Sequence, residues 1–252
     1  MKYRSSYERS AYLYDLFDKK PNIGFFLRCA SGIKEILDIG AGTGRIALPL
    51  AEKGCRVFCV EPSPAMRREF RKKLRKQKDI ADRIILNAGE ARSFRFDRTF
   101  GFALMSGVFD HFLDDGYRLA ALRNISRHLE PGGRFIFDLA GARPKVHQNS
   151  VAGERRSVKR SIRRFVSTQS YGKDRYRVTI LYEVHDSGKM RKRVEEMGLV
   201  GFVSQRGIRI MLHEAGFQIV HEYGGYDSSD YAEGGNVLII EALKKPDLRE
   251  AH

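Results

Sequence analysis

Asp38 lies within the short apolar run 36–39 and Glu61 closes the run 57–60, and the turn Gly40–Ala41–Gly42–Thr43–Gly44 follows the first of them. Glycines at 40, 42 and 44 free that turn from Cβ clashes, so the backbone bends sharply and a ligand can approach it closely. A helix starting near Gly44 aims its unpaired N–H groups back at the same ligand. Glu61 lies about 20 residues further on, where an acid accepts the hydroxyls of a ribose. Together these residues describe a nucleoside-binding strand–helix–strand unit. The dinucleotide pattern G-x-G-x-x-G is not met, because Arg45 stands at its sixth position with Gly44 one step earlier. A further chemical group is His111, six residues past the apolar run 100–105. Its ordinary pKa of about 6.5 lets it take a proton at neutral pH, and ligands of open α/β sheets sit at the carboxyl ends of the strands.

The elements that must hold these groups follow from apolar spacing. Residues 6–17 carry Tyr7, Ala11 and Tyr14 at helical intervals, and Pro21-Asn22 breaks the run before a second helix over 23–30. After Glu61, Ser63 is placed to cap and Pro64 to start a helix over 65–78, whose apolar side is Phe70 and Leu74. The rest of that helix is basic, which suits a solvated face. Strands are expected over 84–87, 100–105 and 134–139, with a polar helix over 114–129 stopped by Glu130-Pro131-Gly132-Gly133. Alternation of strand and helix with right-handed crossovers gives a parallel, doubly wound sheet. From 141 the pattern changes to β-branched and aromatic runs over 157–170, 175–185 and 191–203, parted by the turns 171–174 and 186–189, so three antiparallel strands are expected. A delayed helix (205–215) and two final strands (217–223 and 236–242) complete the chain.

The run L-D-I-G-A-G-T-G ending β-strand one, Glu61 after the next strand, Gly89-Glu90-Ala91, and R-H-L-E-P-G-G-R-F-I-F-D-L over 127–139 resemble the class I S-adenosylmethionine-dependent methyltransferases, small-molecule type, across residues 35–140. The resemblance implies an α/β Rossmann-like fold: a doubly wound seven-stranded sheet, its last strand antiparallel, with a three-stranded antiparallel β insertion. It implies S-adenosyl-L-methionine as cofactor and no metal. The implied cofactor-binding residues are Tyr14; Asp38, Gly40, Ala41 and Gly42; Glu61, Pro62 and Met66; Gly89, Glu90 and Ala91; and Met105, Ser106 and Gly107. Glu90 stands where the family commonly has Asp, which keeps the acceptor on a longer arm. His111 falls in the loop segment where relatives often carry a histidine, and is the candidate base. The implied organisation is a methyltransferase core of 1–140 and 204–243, a substrate or lid sheet of 141–203, and a polar tail of 244–252.

At 252 residues and 42% hydrophobic content the chain buries a sizeable core. Its apolar runs fall short of the roughly 20 residues a bilayer span needs, and the residues before Tyr7 lack the apolar core of a secretory signal. Three cysteines, without C-x-x-C spacing, suit a reducing cytosol. The net charge of +15 is concentrated in the helix after Glu61 and in the insertion, where Arg155, Arg156, Arg163, Arg164, Arg175 and Lys192 are among the cations. Outward copies protect sheet edges. Inward copies orient an anionic small-molecule acceptor or line an RNA track. The expected function is methyl transfer to a small-molecule amine, hydroxyl or carboxyl group. RNA methylation and cofactor binding without catalysis are the alternatives, and a homodimer is compatible with the sequence. The strand-four exit lacks the N/D-P-P-Y/F segment that would stack a flipped base.

Overall fold

The computed structural model describes residues 7–17 and 21–246. Two short helices, α1 (Ala11–Phe17) and α2 (Asn22–Cys29), precede β1 (Glu35–Ile39), α3 (Ala47–Glu52), β2 (Arg56–Val60), α4 (Pro64–Leu74) and β3 (Ile84–Asn87). Next come β4 (Phe100–Met105), a 3-10 turn (Phe109–His111), α5 (Asp115–Arg127) and β5 (Leu129–Ala140). Four strands in succession, β6 (His147–Arg156), β7 (Arg160–Ser170), β8 (Arg175–Asp186) and β9 (Lys189–Gly201), separate β5 from α6 (Gln205–Glu214), β10 (Phe217–Tyr223) and β11 (Val237–Lys244). Among the described residues no helix is long and apolar enough to cross a membrane.

Seven strands form one sheet in the order β10-β11-β5-β4-β1-β2-β3. All run parallel except β11, which is antiparallel to both β5 and β10. The strand order reverses between β1 and β4, whose ladder pairs Leu37 with Ala103 and Asp38 with Leu104. A crevice for ligand opens at such a reversal, beyond the carboxyl ends of the strands. Both faces of the sheet are covered, which is why β1 and β2 read as continuous apolar runs. Leu37, Ile39, Met105 and Phe137 pack with α5 and α6 on one face, and Ile36, Cys59, Leu104 and Ile136 pack with α2, α3 and α4 on the other. Helix α4 starts as its sequence dictates, with Ser63 Oγ accepting from Met66 N (3.3 Å) and Pro64 as first helical residue.

The inserted sheet has four strands, in the order β6-β7-β8-β9, one more than expected. The added strand β6 is a polar edge whose pairing with β7 shifts register twice, so its sequence carries no alternation to read. The turn at 186–189 is a tight hairpin, with Ser187 and Gly188 both left-handed (φ 50° and 76°). Strand β5 begins earlier than expected. Its pairing with β4 jumps from Phe100–Leu129 to Phe102–Arg134, so the Pro-Gly-Gly segment bulges out of a continuing strand instead of preceding it. Strand β11 continues past its expected end at 242 to Lys244, the first residue of the expected tail. Residues 247–252, like Ser6 of the expected first helix, lie outside the described residues.

Ile162, Val184, Tyr182 and Val194 share one face of the inserted sheet by register and close on Leu13 and Phe17 of α1. The other side of α1 rests on α4, where Ala11 packs with Ala65 and Met66. Thus α1 sits between the inserted sheet and the glycine turn.

Candidate active site

The glycine turn is shaped by its packing. Gly40, Gly42 and Gly44 are all left-handed, at φ 76°, 57° and 82°. A Cβ on Gly40 would lie 2.2 Å from Val108 Cγ2, and one on Gly44 2.3 Å from the Phe70 ring. Gly40 N and Ala41 N both donate to Val60 O, at 2.7 and 3.1 Å, which fastens the turn to the end of β2. Tyr14, Asp38, Gly40, Ala41, Gly42 and Ser106, six of the residues expected at the cofactor, line one small cavity together with Arg45.

Asp38 is 2% exposed, and its Oδ2 has no hydrogen-bond partner among the described residues. Burial pushes its pKa up to about 7, the Glu61 charge adds to the rise, and Arg45 opposes it. Glu61 is also buried, but its carboxylate is engaged: Oε2 accepts from Gly42 N at 2.9 Å and Oε1 from Ser63 N at 2.7 Å. Burial raises its pKa against those two bonds. A carboxylate accepts at about four lone-pair positions, so Glu61 retains capacity for hydroxyl donors while it holds the turn.

Helix α1 is fixed over this cavity. Asp15 Oδ1 accepts from Thr43 Oγ1 (2.7 Å), its Oδ2 faces Lys73 Nζ (2.5 Å), and Lys73 also donates to Thr43 Oγ1 (3.0 Å). Tyr14 and Tyr7 stand edge-on to each other at 5.4 Å, next to buried Met66. Tyr7 is in turn edge-on to His111 at 6.2 Å. His111 ends the 3-10 turn, half-buried, and Asp110 beside it receives Ala140 N on both carboxylate oxygens at 3.1 Å.

Other expected residues fall differently. Pro62 is exposed in the turn into α4. Glu90 faces Arg92 Nε (2.9 Å) and Tyr117 OH (3.5 Å), and burial with the Glu90 charge pushes the Tyr117 pKa up to about 12. Gly89 is tight against Asn87 and Phe94, and Ala91 is in the core, its carbonyl receiving Asn124 Nδ2 at 3.1 Å. Met105 is wholly buried in the core, so its side chain packs the sheet and only its backbone ends at the crevice. Gly107 is left-handed (φ 68°) and donates to Asp138 Oδ1 at 2.5 Å. Asp138, Asn22 and Arg45 gather at this place without having been expected there, and Tyr226 joins them. Asp138 alone carried a readable signal, an acid within an apolar run (I-F-D-L) as Asp38 is (I-L-D-I).

The chemistry of this set fits a nucleoside cofactor with a zwitterionic amino-acid arm. An unsatisfied buried carboxylate oxygen beside a guanidinium suits ammonium and carboxylate, and an acid at the end of β2 suits ribose hydroxyls. The family described as "Methyltransferase domain" matches residues 36–133. The cypemycin N-terminal methyltransferase of a Streptomyces species is 26% identical over 212 residues, 82% of each chain. Among solved structures, an S-adenosylmethionine-dependent methyltransferase from Clostridium acetobutylicum superposes with a TM-score of 0.77 at 19% identity, covering 94% of this chain and 98% of that one. CalS10 of Micromonospora echinaspora, an amino pentose methyltransferase solved with its cofactor, gives 0.71 at 22%, covering 97% and 99%. The matched domain and these likenesses support a class I S-adenosylmethionine-dependent methyltransferase, with S-adenosylmethionine as the cofactor.

Proposed function

We propose that this methyltransferase acts on an amine of a small molecule, with His111 as the base. One observation carries the reading: the rings of Tyr7, Tyr14 and His111 stand edge to edge beside the cavity that holds Asp38 and Ser106. An amine arrives as a cation, and aromatic faces attract cations where water is excluded. Bound, S-adenosylmethionine supplies a sulfonium methyl whose carbon–sulfur bond breaks with its electron pair returning to sulfur. The protein's part is to hold the acceptor nitrogen in line behind that methyl and to keep water out. In this reading Glu61 takes the ribose hydroxyls, and Asp38 faces the ammonium of the amino-acid arm. The turn after β3 borders the adenine, and His111 accepts the proton the nitrogen gives up.

Residues 1–140 and 204–243 then form the donor half, and 141–203 cover the acceptor. The relatives' names agree with an amine: one is an N-terminal methyltransferase, and another methylates an amino pentose. An anionic acceptor has less support. Arg155 Nε bonds Leu16 O at 2.5 Å and Arg164 lies 5.2 Å over Phe17, so these inward cations hold α1. Arg156 and Arg163 pair with Glu154, which weakens the case for an RNA track.

The test is methyl transfer from labelled cofactor to a panel of small amines, alcohols and carboxylic acids, with wild type and His111→Ala. The expected result is turnover on an amine, and loss of most of that turnover in a folded variant of unchanged cofactor affinity. Full turnover in the variant removes the base. Transfer confined to oxygen acceptors removes the amine.

A further inference from the structure

A one-way chain of hydrogen bonds runs beneath the cavity. Arg45 Nη1 donates to Asn22 Oδ1 (3.1 Å), Asn22 Nδ2 donates to Ser106 Oγ (2.9 Å), and Ser106 Oγ donates to Asp138 Oδ2 (2.7 Å). Tyr226 OH donates to the same oxygen (2.7 Å), and Gly107 N donates to Asp138 Oδ1 (2.5 Å). Its direction is set by chemistry. A guanidinium only donates and a carboxylate only accepts. Arg45 therefore turns the Asn22 amide so that its nitrogen faces Ser106, and Ser106 must then give its single proton to Asp138. Asn22 and Asp138 are 1% and 4% exposed, so none of this is exchanged with water at low cost. The two ends of the chain reach different parts of the site: Arg45 and Ser106 line the cavity with Asp38, while Asp138 anchors the first residues of the loop that leads to His111.

We propose that Asp138 is a positioning residue for cofactor binding, which through Ser106, Asn22 and Arg45 fixes the polar wall that receives the cofactor's amino-acid arm. This rests on the reading that the cavity takes that arm. In Asp138→Asn, the amide can still accept from Gly107 but presents N–H groups toward Ser106 and Tyr226. Ser106 already accepts from Asn22, so the chain loses its direction while the volume stays the same. The defect falls on the amino-acid end alone.

Calorimetric titration with S-adenosylmethionine and with 5′-methylthioadenosine, which keeps the nucleoside and sulfur but lacks the amino-acid arm, separates this from general damage. For Asp138→Asn, affinity for S-adenosylmethionine is expected to fall about tenfold or more, the loss typical of a broken buried charged hydrogen bond, with 5′-methylthioadenosine binding unchanged. Asn22→Ala, which cuts the chain at another link, should show the same selectivity and carries the test if Asp138→Asn fails to fold. Equal losses for both probes, or no loss for either, overturn the proposal. Asp38→Asn serves as the check on the cavity. If it weakens S-adenosylmethionine selectively and Asp138→Asn does not, the relay is wrong. If Asp38→Asn has no effect, the arm binds elsewhere and the reading beneath the proposal fails with it.

Discussion

Asp38 holds a buried carboxylate whose Oδ2 meets no hydrogen-bond donor among the described residues, and the fold bears the cost. With its pKa raised to about 7 by burial and by Glu61, the folded chain keeps a proton that the unfolded chain has already released. Stability is therefore fully present below the ordinary carboxylate pKa and is lost as pH rises toward 7. Asp38→Asn removes that dependence. Urea melts without cofactor should show the variant gaining on wild type by a few kcal/mol, about 1.4 per pKa unit, between pH 4.5 and pH 8, while its affinity for S-adenosylmethionine falls. Equal gaps at the two pH values would falsify the assignment. Glu61 works by its bonds. Glu61→Ala is expected to weaken cofactor binding by roughly 1.5–3 kcal/mol, the range for a hydrogen bond to a charged group, as read by calorimetry. Both acids were legible in the sequence: Asp38 interrupts an apolar run beside the glycine turn, and Glu61 ends the next apolar run at the distance of about 20 residues where a ribose acceptor falls. Asp138 has the same signature but no glycine-rich turn follows it. Asn22 gave no signal, since its partner is 84 positions away.

At the scale of elements, α1 is seven residues long, too short to persist alone in water. What keeps it is attachment: Asp15 to Thr43 and Lys73 on one side, Leu13 and Phe17 to the inserted sheet on the other. The Asp15–Lys73 pair is about one-third exposed, so it contributes at most about 1 kcal/mol. Asp15→Ala should leave the melting temperature nearly unchanged yet speed dissociation of S-adenosylmethionine by up to about fivefold, the kinetic equivalent of that energy. Stopped-flow release is the measurement, and an unaltered rate removes α1 from cofactor retention. The helix could be read from Ala11 and Tyr14, although it starts at Ala11 and leaves Tyr7 in the turn before it, and the strands β1 to β4 could be read from their apolar runs. Strand β6 could not be read, because an exposed edge with two register shifts has no reason to alternate. The bulge in β5 hid for the opposite reason: Pro131-Gly132-Gly133 reads as a stop, yet the ladder resumes at Arg134 with the same partner strand.

Among the described residues the two sheets share no ladder, and packing and side-chain hydrogen bonds join the insertion to the core. Tyr182, on the inserted sheet, is 1% exposed and lies 5.7 Å from the Phe17 ring. Tyr182→Ala removes a buried aromatic group, a loss of about 3–5 kcal/mol in a closed core, from a cluster that seats α1. The expected outcome is faster amide exchange over residues 11–17 and weaker binding of S-adenosylmethionine, although Tyr182 lies on the other sheet. Unchanged cofactor affinity with α1 loosened would show that the sheets act independently. The basic character of the insertion also looks different at this scale. Arg155 and Arg164 bind α1, Lys192 lies 5.1 Å over Tyr12, and Arg175 Nε reaches Leu113 O at 3.2 Å. Charge that looks like a phosphate track in one dimension is, in part, fastening in three.

A helix fastened on two sides has a kinetic consequence. Leaving requires both attachments to open together, so the two barriers add and the opening rate falls as the product of two small probabilities. Engaging the acceptor side alone then slows escape of a bound donor without touching it. In a reaction whose spent donor must leave before the next can enter, turnover would be paced by how often α1 lets go of both surfaces at once.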